Sequence, residues 1–322
     1  MAITDTFIER ARGTAKRIVL PEGTDARMVA AAARLIEEGI AEPILLGPEE
    51  GVRSAAAEAG VDFGKLSFID PAGDSRMDEY IEAYARKREV SPGLARRLVR
   101  KPLYFGGMMV AKGAADGGVA GLASTTTSVI QAAVLTIGYA AGASQASSFF
   151  IMELPGRAPL IYADAAIVPQ PSARELAEIA VTTARSARAL LGLEPLVAML
   201  SFSTYGSAAH PDVDKVRQAT ALARQMAPDL AIDGELQADA ALSPKVAERK
   251  GATSPVAGHA NVLVFPDLDA ANIAYKLTQY LAGASAIGPI MQGFARPFND
   301  LSRGASVADV VAVAAIAAVQ SL

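Results

Sequence analysis

A hydroxyl, a guanidinium and a carboxylate stand close together near the C-terminus, as Ser302, Arg303 and Asp309. A positioned carboxylate can take a proton from a nucleophile, and a cation with a hydroxyl can stabilise a phosphate or a developing oxyanion. The attack of a thiol on an acyl phosphate needs this combination of groups. The segment therefore indicates acyl-transfer chemistry.

The same residues also fit a purely structural role. Ser306 and Asp309 have the spacing of a helix N-cap and its third helical residue, and the apolar run Val310–Val319 that follows is typical of a buried helix. Ser302 and Arg303 alone would be an ordinary polar turn. Both interpretations of Asp309, as base and as cap, stay open at this point.

The elements around this segment alternate between strands and helices. Arg17–Leu20 predicts a strand, Asp25–Glu38 has the apolar spacing of a helix, and Glu42–Leu46 predicts a second strand ended by Gly47 and Pro48. Similar alternation recurs in the second half of the chain. The pattern predicts an α/β fold with parallel-rich sheets and flanking helices.

Composition limits the functional classes. The 322 residues include no cysteine and two histidines, and the net charge is −4. Disulfides, thiolate metal sites and a cysteine nucleophile are excluded, and a nucleic-acid binder is disfavoured. Gly117–Met152 carries no charge, but its hydroxyl and amide residues favour buried sheet and helix over a membrane span. With no secretion signal visible, a cytoplasmic location is expected.

The C-terminal segment resembles the signature of the phosphate acetyltransferases, within the phosphate acetyl/butyryltransferase family. Its sequence is GPIMQGFARPFNDLSRG over residues 288–304. Further motifs with the same resemblance are spread over nearly the whole chain, at Ile18–Arg27, Phe105–Met109, Ser148–Met152, Tyr162–Asp164, Ala198–Ser203, Ile232–Gln237, Ser254–Gly258 and Val264–Leu268.

The resemblance implies an architecture and partners. It implies two domains of the isocitrate/isopropylmalate-dehydrogenase type, with residues 1–143 and 289–322 in one and 144–288 in the other, and an active site in the cleft between them. It also implies a homodimer acting on coenzyme A (CoA), acetyl phosphate and phosphate. No permanently bound cofactor, metal, nucleic acid or membrane is expected.

The resemblance also implies roles for individual residues. Asp309 would be the base, with Arg303 and Ser302 binding the phosphate or the oxyanion, while the CoA thiol attacks directly without an acyl-enzyme. The substrate-binding residues would be Thr125, Thr126, Ser128, Gln131 and Arg86.

Two positions depart from the family pattern: Ser124, where relatives often carry histidine or asparagine, and Gln131. Most relatives carry an arginine where this chain has Gln131, and an amide cannot form the bidentate clamp that a guanidinium forms on phosphate. Phosphate affinity or acyl range can differ for this reason.

Three other functions stay open. Phosphate butyryl- or propionyltransfer needs only a larger acyl pocket, and a non-catalytic acetyl-CoA sensor would keep the fold. A nicotinamide-dependent dehydrogenase is suggested by fold analogy alone, and the chain has no G-x-G-x-x-G after a strand.

Overall fold

The computed structural model describes residues 2–322 and divides the chain into two compact units. The first unit contains the described residues up to Ala140 together with Phe294–Leu322, and the second is Ala141–Gly293. Each unit is built around one sheet.

The described residues form strands and helices in the following order. The strands are β1 Arg17–Leu20, β2 Glu42–Leu46, β3 Phe68–Ile69, β4 Gly117–Ala120, β5 Ser147–Glu153, β6 Leu160–Ala163, β7 Leu196–Leu200, β8 Ala231–Leu236, β9 Val262–Val264, β10 Ser285–Gln292 and β11 Phe298–Asp300. The helices are α1 Ile3–Ala11, α2 Ala26–Glu37, α3 Glu49–Ala59, α4 Met77–Arg88, α5 Pro92–Val99, α6 Pro102–Ala111, α7 Thr126–Thr136, α8 Ala173–Leu191, α9 Pro211–Met226, α10 Ala238–Leu242, α11 Pro244–Arg249, α12 Leu268–Ala282 and α13 Val307–Gln320.

The sheet of the first unit is parallel throughout, in the order β11-β4-β1-β2-β3. Because its strands run in one direction, the segments that follow β1, β4 and β11 all leave from the same edge. In open parallel sheets, ligands bind outside this carboxyl edge. The segments are 21–25, 121–125 and 301–306. They contain Thr125, Ser302 and Arg303, and Thr126, Ser128 and Asp309 follow in the first turn of the next helix.

Apolar packing fixes β11 and its following helix in the first unit. Phe298 lies against Gly118 of β4, where a Cβ would come within 2.5 Å of the ring. Helix α13 is buried along most of its length and packs on α1, α2 and β4. A buried helix on one side and a buried sheet on the other leave the 301–306 segment little freedom at either end.

The sheet of the second unit is mixed, in the order β10-β5-β6-β9-β7-β8. Strand β5 runs antiparallel to both β10 and β6, whereas β6, β9, β7 and β8 are parallel. Helix α8 begins with a capping box between Ser172 and Glu175 and ends at Gly192, which has a left-handed backbone. The predicted α/β class with parallel-rich sheets and flanking helices is confirmed.

The uncharged run Gly117–Met152 forms β4, α7 and most of β5. Among residues 2–322, every helix is too short or too polar to cross a bilayer.

Candidate active site

Glu22 fixes the loop that follows β4. This buried glutamate, directly after Pro21 at the end of β1, accepts four backbone hydrogen bonds. Its Oε2 accepts from the N–H groups of Gly121 and Leu122, both at 2.8 Å, and its Oε1 from those of Ala123 and Ser124, at 3.1 and 2.8 Å. One carboxylate therefore holds the backbone of the 121–125 segment just before α7 begins.

Arg27 fixes the segment that follows β11. From the first turn of α2, its Nη1 donates to the carbonyl oxygens of Arg303 at 2.8 Å and Ala305 at 3.1 Å. Asp25 holds the same guanidinium in place at 2.8 Å. The backbone around Arg303 is thus fastened to α2, while the Arg303 side chain is exposed and forms no ion pair with residues 2–322.

Asp300 joins the two segments. It ends β11, is only 2% exposed, and accepts a hydrogen bond from the hydroxyl of Thr126 at 2.5 Å. Its other oxygen, Oδ1, is buried without a partner among the described residues. Burial, with a smaller contribution from the neighbouring Glu22 charge, raises the pKa of Asp300 to about 6, although the hydrogen bond from Thr126 opposes the shift.

The N-terminus of α7 presents donors toward this edge. Thr125 is the N-cap, and its Oγ1 accepts from the N–H of Ser128 at 3.2 Å and contacts the Ser128 hydroxyl at 2.9 Å. The N–H groups of Thr126 and Thr127 have no acceptor within residues 2–322. Unpaired N–H groups and the positive end of the helix dipole make this a place suited to an anion.

Asp309 caps α13, as one of its two sequence interpretations requires. Its Oδ2 accepts from the N–H and the hydroxyl of Ser306, both at 2.8 Å, and Ser306 Oγ accepts from the Asp309 N–H at 3.3 Å. The second oxygen, Oδ1, has no hydrogen-bond partner among residues 2–322. The side chain is exposed, so the cap orients the carboxylate and leaves one oxygen able to accept a proton.

Some predicted site residues meet in the structure. Thr126 is linked through Asp300 to the start of the segment that carries Ser302 and Arg303. Ser302 is exposed, and its Oγ accepts from the N–H of Gly304 at 3.3 Å. Gln131 is exposed on α7, and its side chain forms no hydrogen bond with the other described residues.

Arg86 lies elsewhere. The next residue on α4, Lys87, donates to the carbonyl oxygens of Thr136 and Ile137 at 2.7 and 2.9 Å, which are at the C-terminal end of α7. An eleven-residue helix is about 16 Å long, so Arg86 belongs to the opposite end of α7 from Thr125. The structure does not place Arg86 beside the N-terminus of α7.

Sequence reasoning missed Glu22, Arg27 and Asp300 as site residues. All three lie inside the quoted motifs, Glu22 and Arg27 after β1 and Asp300 at the end of β11. For Glu22 and Asp300 the available signal was a charged residue at or just beyond the carboxyl end of a buried strand, where sheet topology brings loops together. What the sequence could not give is the partner of each charge.

Comparisons with known proteins agree over the full length of the chain. The profile of the family described as "Phosphate acetyl/butaryl transferase" matches residues 2–318. The chain is 49% identical to the phosphate acetyltransferase of Thermoanaerobacterium thermosaccharolyticum, covering 100% of both proteins. It is 47% identical to that of Acetivibrio thermocellus, covering 100% of this chain and 98% of the relative.

A solved structure agrees as well. The crystal structure of a phosphotransacetylase from Streptococcus pyogenes superposes with a TM-score of 0.96 at 43% identity, covering 100% of this chain and 99% of that one. The resemblance found in the sequence motifs is therefore confirmed. The chain belongs to the phosphate acetyl/butyryl transferase family and is an acyltransferase.

Proposed function

We propose that this protein is a phosphate acetyltransferase, which interconverts acetyl-CoA plus phosphate with acetyl phosphate plus CoA. The names of its full-length relatives support this function. The structural observation that carries it is the carboxyl edge of the first sheet. There the unpaired Arg303 cation and the open N-terminus of α7 belong to two segments that Asp300 joins. Asp309, with one free oxygen, lies in the first turn of α13, which follows.

Asp309 is the proposed base. A free thiol has a pKa near 8.5, so only a few per cent is thiolate at neutral pH. As the CoA sulfur attacks the carbonyl carbon of acetyl phosphate, its proton moves to Oδ1 of Asp309. The tetrahedral intermediate then collapses, the bond from carbon to the phosphate oxygen breaks, and phosphate leaves. The acetyl group reaches CoA in one displacement, with no acyl-enzyme.

Arg303 and Ser302 are the proposed electrostatic groups. The guanidinium is exposed and unpaired, so a phosphate can bind it without displacing a protein carboxylate. Ser302 supplies a hydroxyl one residue earlier for the oxyanion. Removal of one such donor typically costs about 10²–10³ in rate.

The N-terminus of α7 is the proposed phosphate cradle. The N–H groups of Thr126 and Thr127 are open, and Thr125 and Ser128 shape the first turn. Gln131, one turn further, can add an amide donor but no charge. Arg86 is on α4, near the C-terminal end of α7. It is a proposed contact for the extended CoA molecule rather than for the reacting phosphate.

We also propose that the protein forms a homodimer and is located in the cytoplasm. Helix α12 in the second unit exposes four large apolar side chains at helical spacing: Ile273, Leu277, Tyr280 and Leu281, which are 57%, 53%, 83% and 80% exposed. A contiguous apolar stripe of this kind is typical of an association surface. A cytoplasmic location is in keeping with a chain that has no cysteine and acts on CoA.

The experiment is a thioester-formation assay with CoA and acetyl, propionyl or butyryl phosphate, without added divalent metal. We expect acetyl phosphate to give the highest kcat/KM. A preference for butyryl or propionyl phosphate would reassign the acyl range within the family. No thioester from any of the three, with acetyl-CoA still bound in equilibrium dialysis, would instead identify a sensor.

A further inference from the structure

The hydrogen bond between Thr126 and Asp300 determines what the Thr126 hydroxyl can offer a ligand. A hydroxyl has one hydrogen and two lone pairs. As long as the Asp300 carboxylate is ionised, the Thr126 hydroxyl donates its hydrogen bond to Asp300 Oδ2, which is 2.5 Å from Thr126 Oγ1. The oxygen of Thr126 then presents only lone pairs to the site. It can accept a hydrogen bond but cannot donate one.

This acceptor is unusual in its surroundings. Apart from the Asp309 carboxylate, which is the proposed base, the groups assigned to the phosphate are donors: the N–H groups of Thr126 and Thr127, and the Arg303 guanidinium. The oxygens of phosphate and of an acyl phosphate are acceptors, so they are matched by these donors and not by the Thr126 oxygen.

Asp300 is also held in a costly position. Its Oδ1 is buried without a partner among residues 2–322, and a Cβ at Gly121 would come within 2.6 Å of that oxygen. The second buried carboxylate, Glu22, binds the N–H of the same Gly121. A buried carboxylate oxygen without a hydrogen-bond partner costs stability, and buried acids in such unfavourable surroundings are concentrated at functional sites.

We propose that Asp300 is a positioning residue for CoA: it orients the Thr126 hydroxyl so that the oxygen accepts a hydrogen bond from the CoA amide nearest the thiol. This inference rests on the proposed acetyl transfer. The thiol hydrogen goes to Asp309 in that reaction, which leaves the amide N–H, two carbons from the sulfur, as the donor closest to the reacting atom. Accepting this hydrogen bond fixes the position of the sulfur.

The test is a double-mutant cycle with steady-state kinetics and a dead-end inhibitor. Thr126→Val, Asp300→Ala and the double variant are compared with the wild type, and desulfo-CoA, which keeps the amide but lacks the thiol, is the inhibitor. Because one hydrogen bond is lost, Thr126→Val should raise the KM for CoA and the Ki of desulfo-CoA by about 3- to 10-fold. The KM for acetyl phosphate should stay within about twofold.

The cycle tests whether Asp300 acts through Thr126. The double variant should be no worse than Thr126→Val alone, because Asp300 has no effect once the hydroxyl is gone. Thr126→Ser keeps the hydroxyl, and Asp300→Asn keeps an acceptor oxygen for it. Both variants should therefore retain most of the CoA affinity of the wild type. Asp116→Asn, a change of the same kind at a remote pair with Arg17, should leave all three constants unchanged.

Three results would overturn the inference. A rise in the KM for acetyl phosphate or phosphate would mean that the hydroxyl donates to the anion. An unchanged Ki for desulfo-CoA beside a raised KM for CoA would make the thiol the donor. Additive effects of the two single changes, with a parallel loss of melting temperature, would leave Asp300 a structural residue. Failure of the proposed function is a separate result, because the wild type would then form no thioester.

Discussion

At the scale of single residues, Asp309 carries two roles at once in our interpretation. The capping box uses Oδ2, and the proposed proton transfer uses Oδ1. The sequence offered these as alternatives, but the geometry allows both. The cap holds the carboxylate at the start of α13, which is what a base needs.

Asp309→Asn should separate the two roles. The amide keeps an acceptor for Ser306 but loses basicity, so we expect kcat to fall by about 10²-fold or more with little change in melting temperature. Ser306→Ala is the matched control, because it removes a cap hydrogen bond at a cost of about 1 kcal/mol and keeps the carboxylate. Near-full turnover in Asp309→Asn together with a loss of stability would leave only the cap.

Asp300 should make unfolding depend on pH in an unusual direction. Its folded pKa of about 6 lies above the ordinary value of 3.8 because burial disfavours the charge. Its contribution to stability is therefore complete below pH 3.8 and is lost as pH rises through 6. Asp300→Asn has no such loss. The free energy of unfolding, measured in urea, should therefore rise for Asp300→Asn relative to the wild type by about 1–2 kcal/mol between pH 5 and pH 7.5.

Asp116 supplies the opposite case for this measurement. Burial alone would raise its pKa, but the hydrogen bonds from Arg17 outweigh burial and lower it. Asp116→Asn should thus destabilise by a similar amount at pH 5 and pH 7.5. If Asp300→Asn also destabilised the protein equally at both pH values, burial would not disfavour the ionised form of Asp300.

Gln131→Arg tests the position at which the sequence resemblance implies an arginine. A guanidinium on the exposed face of α7 can add about 1.5–3 kcal/mol of charge-assisted binding, roughly ten- to a hundredfold in affinity. We expect a lower KM for phosphate and acetyl phosphate, with less change for CoA. Gln131→Met controls for side-chain length without charge. A change confined to CoA would assign the position to the coenzyme instead.

At the scale of elements, α7 is held at both ends by charged residues from other segments. Asp300 binds Thr126 in its first turn, while Lys87 and Arg88 of α4 donate to carbonyl oxygens in its last turn. Cations at a helix C-terminus offset the dipole and satisfy carbonyls that have no helical partner. The open N–H groups at the other end are thereby kept in a fixed place.

Arg88→Met should loosen this helix. It removes the hydrogen bond to the carbonyl of Leu135, 2.7 Å long, and a second one to Val134, so we expect a loss of about 1–2 kcal/mol in unfolding free energy. Arg86→Met is the control for stability, because Arg86 is exposed and forms no ion pair with residues 2–322. Arg86→Met should instead raise the KM for CoA. Equal stabilities of the two variants would argue against the capping role of Arg88.

The sequence predicted elements better than it predicted partners. Strands β1 and β2 have the predicted bounds, because buried apolar runs ended by proline and glycine are local signals. The basic run 86–88 shows the limit. A run of three basic residues ordinarily forms a solvated helix face, yet Lys87 and Arg88 donate to carbonyl oxygens at the end of α7, some fifty residues away. Such long-range contacts have no periodic signature.

At the scale of the whole molecule, the two units have sheets of different kinds. The first sheet is entirely parallel, and all proposed catalytic residues belong to its unit. The second sheet is mixed, and its unit carries the apolar stripe of α12. In this proposal, chemistry and self-association use different surfaces, so changes on α12 can alter assembly without touching the groups that react.

Leu277→Glu with Leu281→Glu should convert the proposed dimer into a monomer. Both leucines are more than half exposed, so the changes remove apolar contact area from the stripe and place like charges opposite each other across a twofold interface. Sedimentation equilibrium should give twice 33.2 kDa for the wild type and 33.2 kDa for the variant. Ile36→Glu, at an exposed aliphatic residue on α2, should stay dimeric. A wild type that sediments as a monomer, or a double variant that remains dimeric, would remove α12 from the interface.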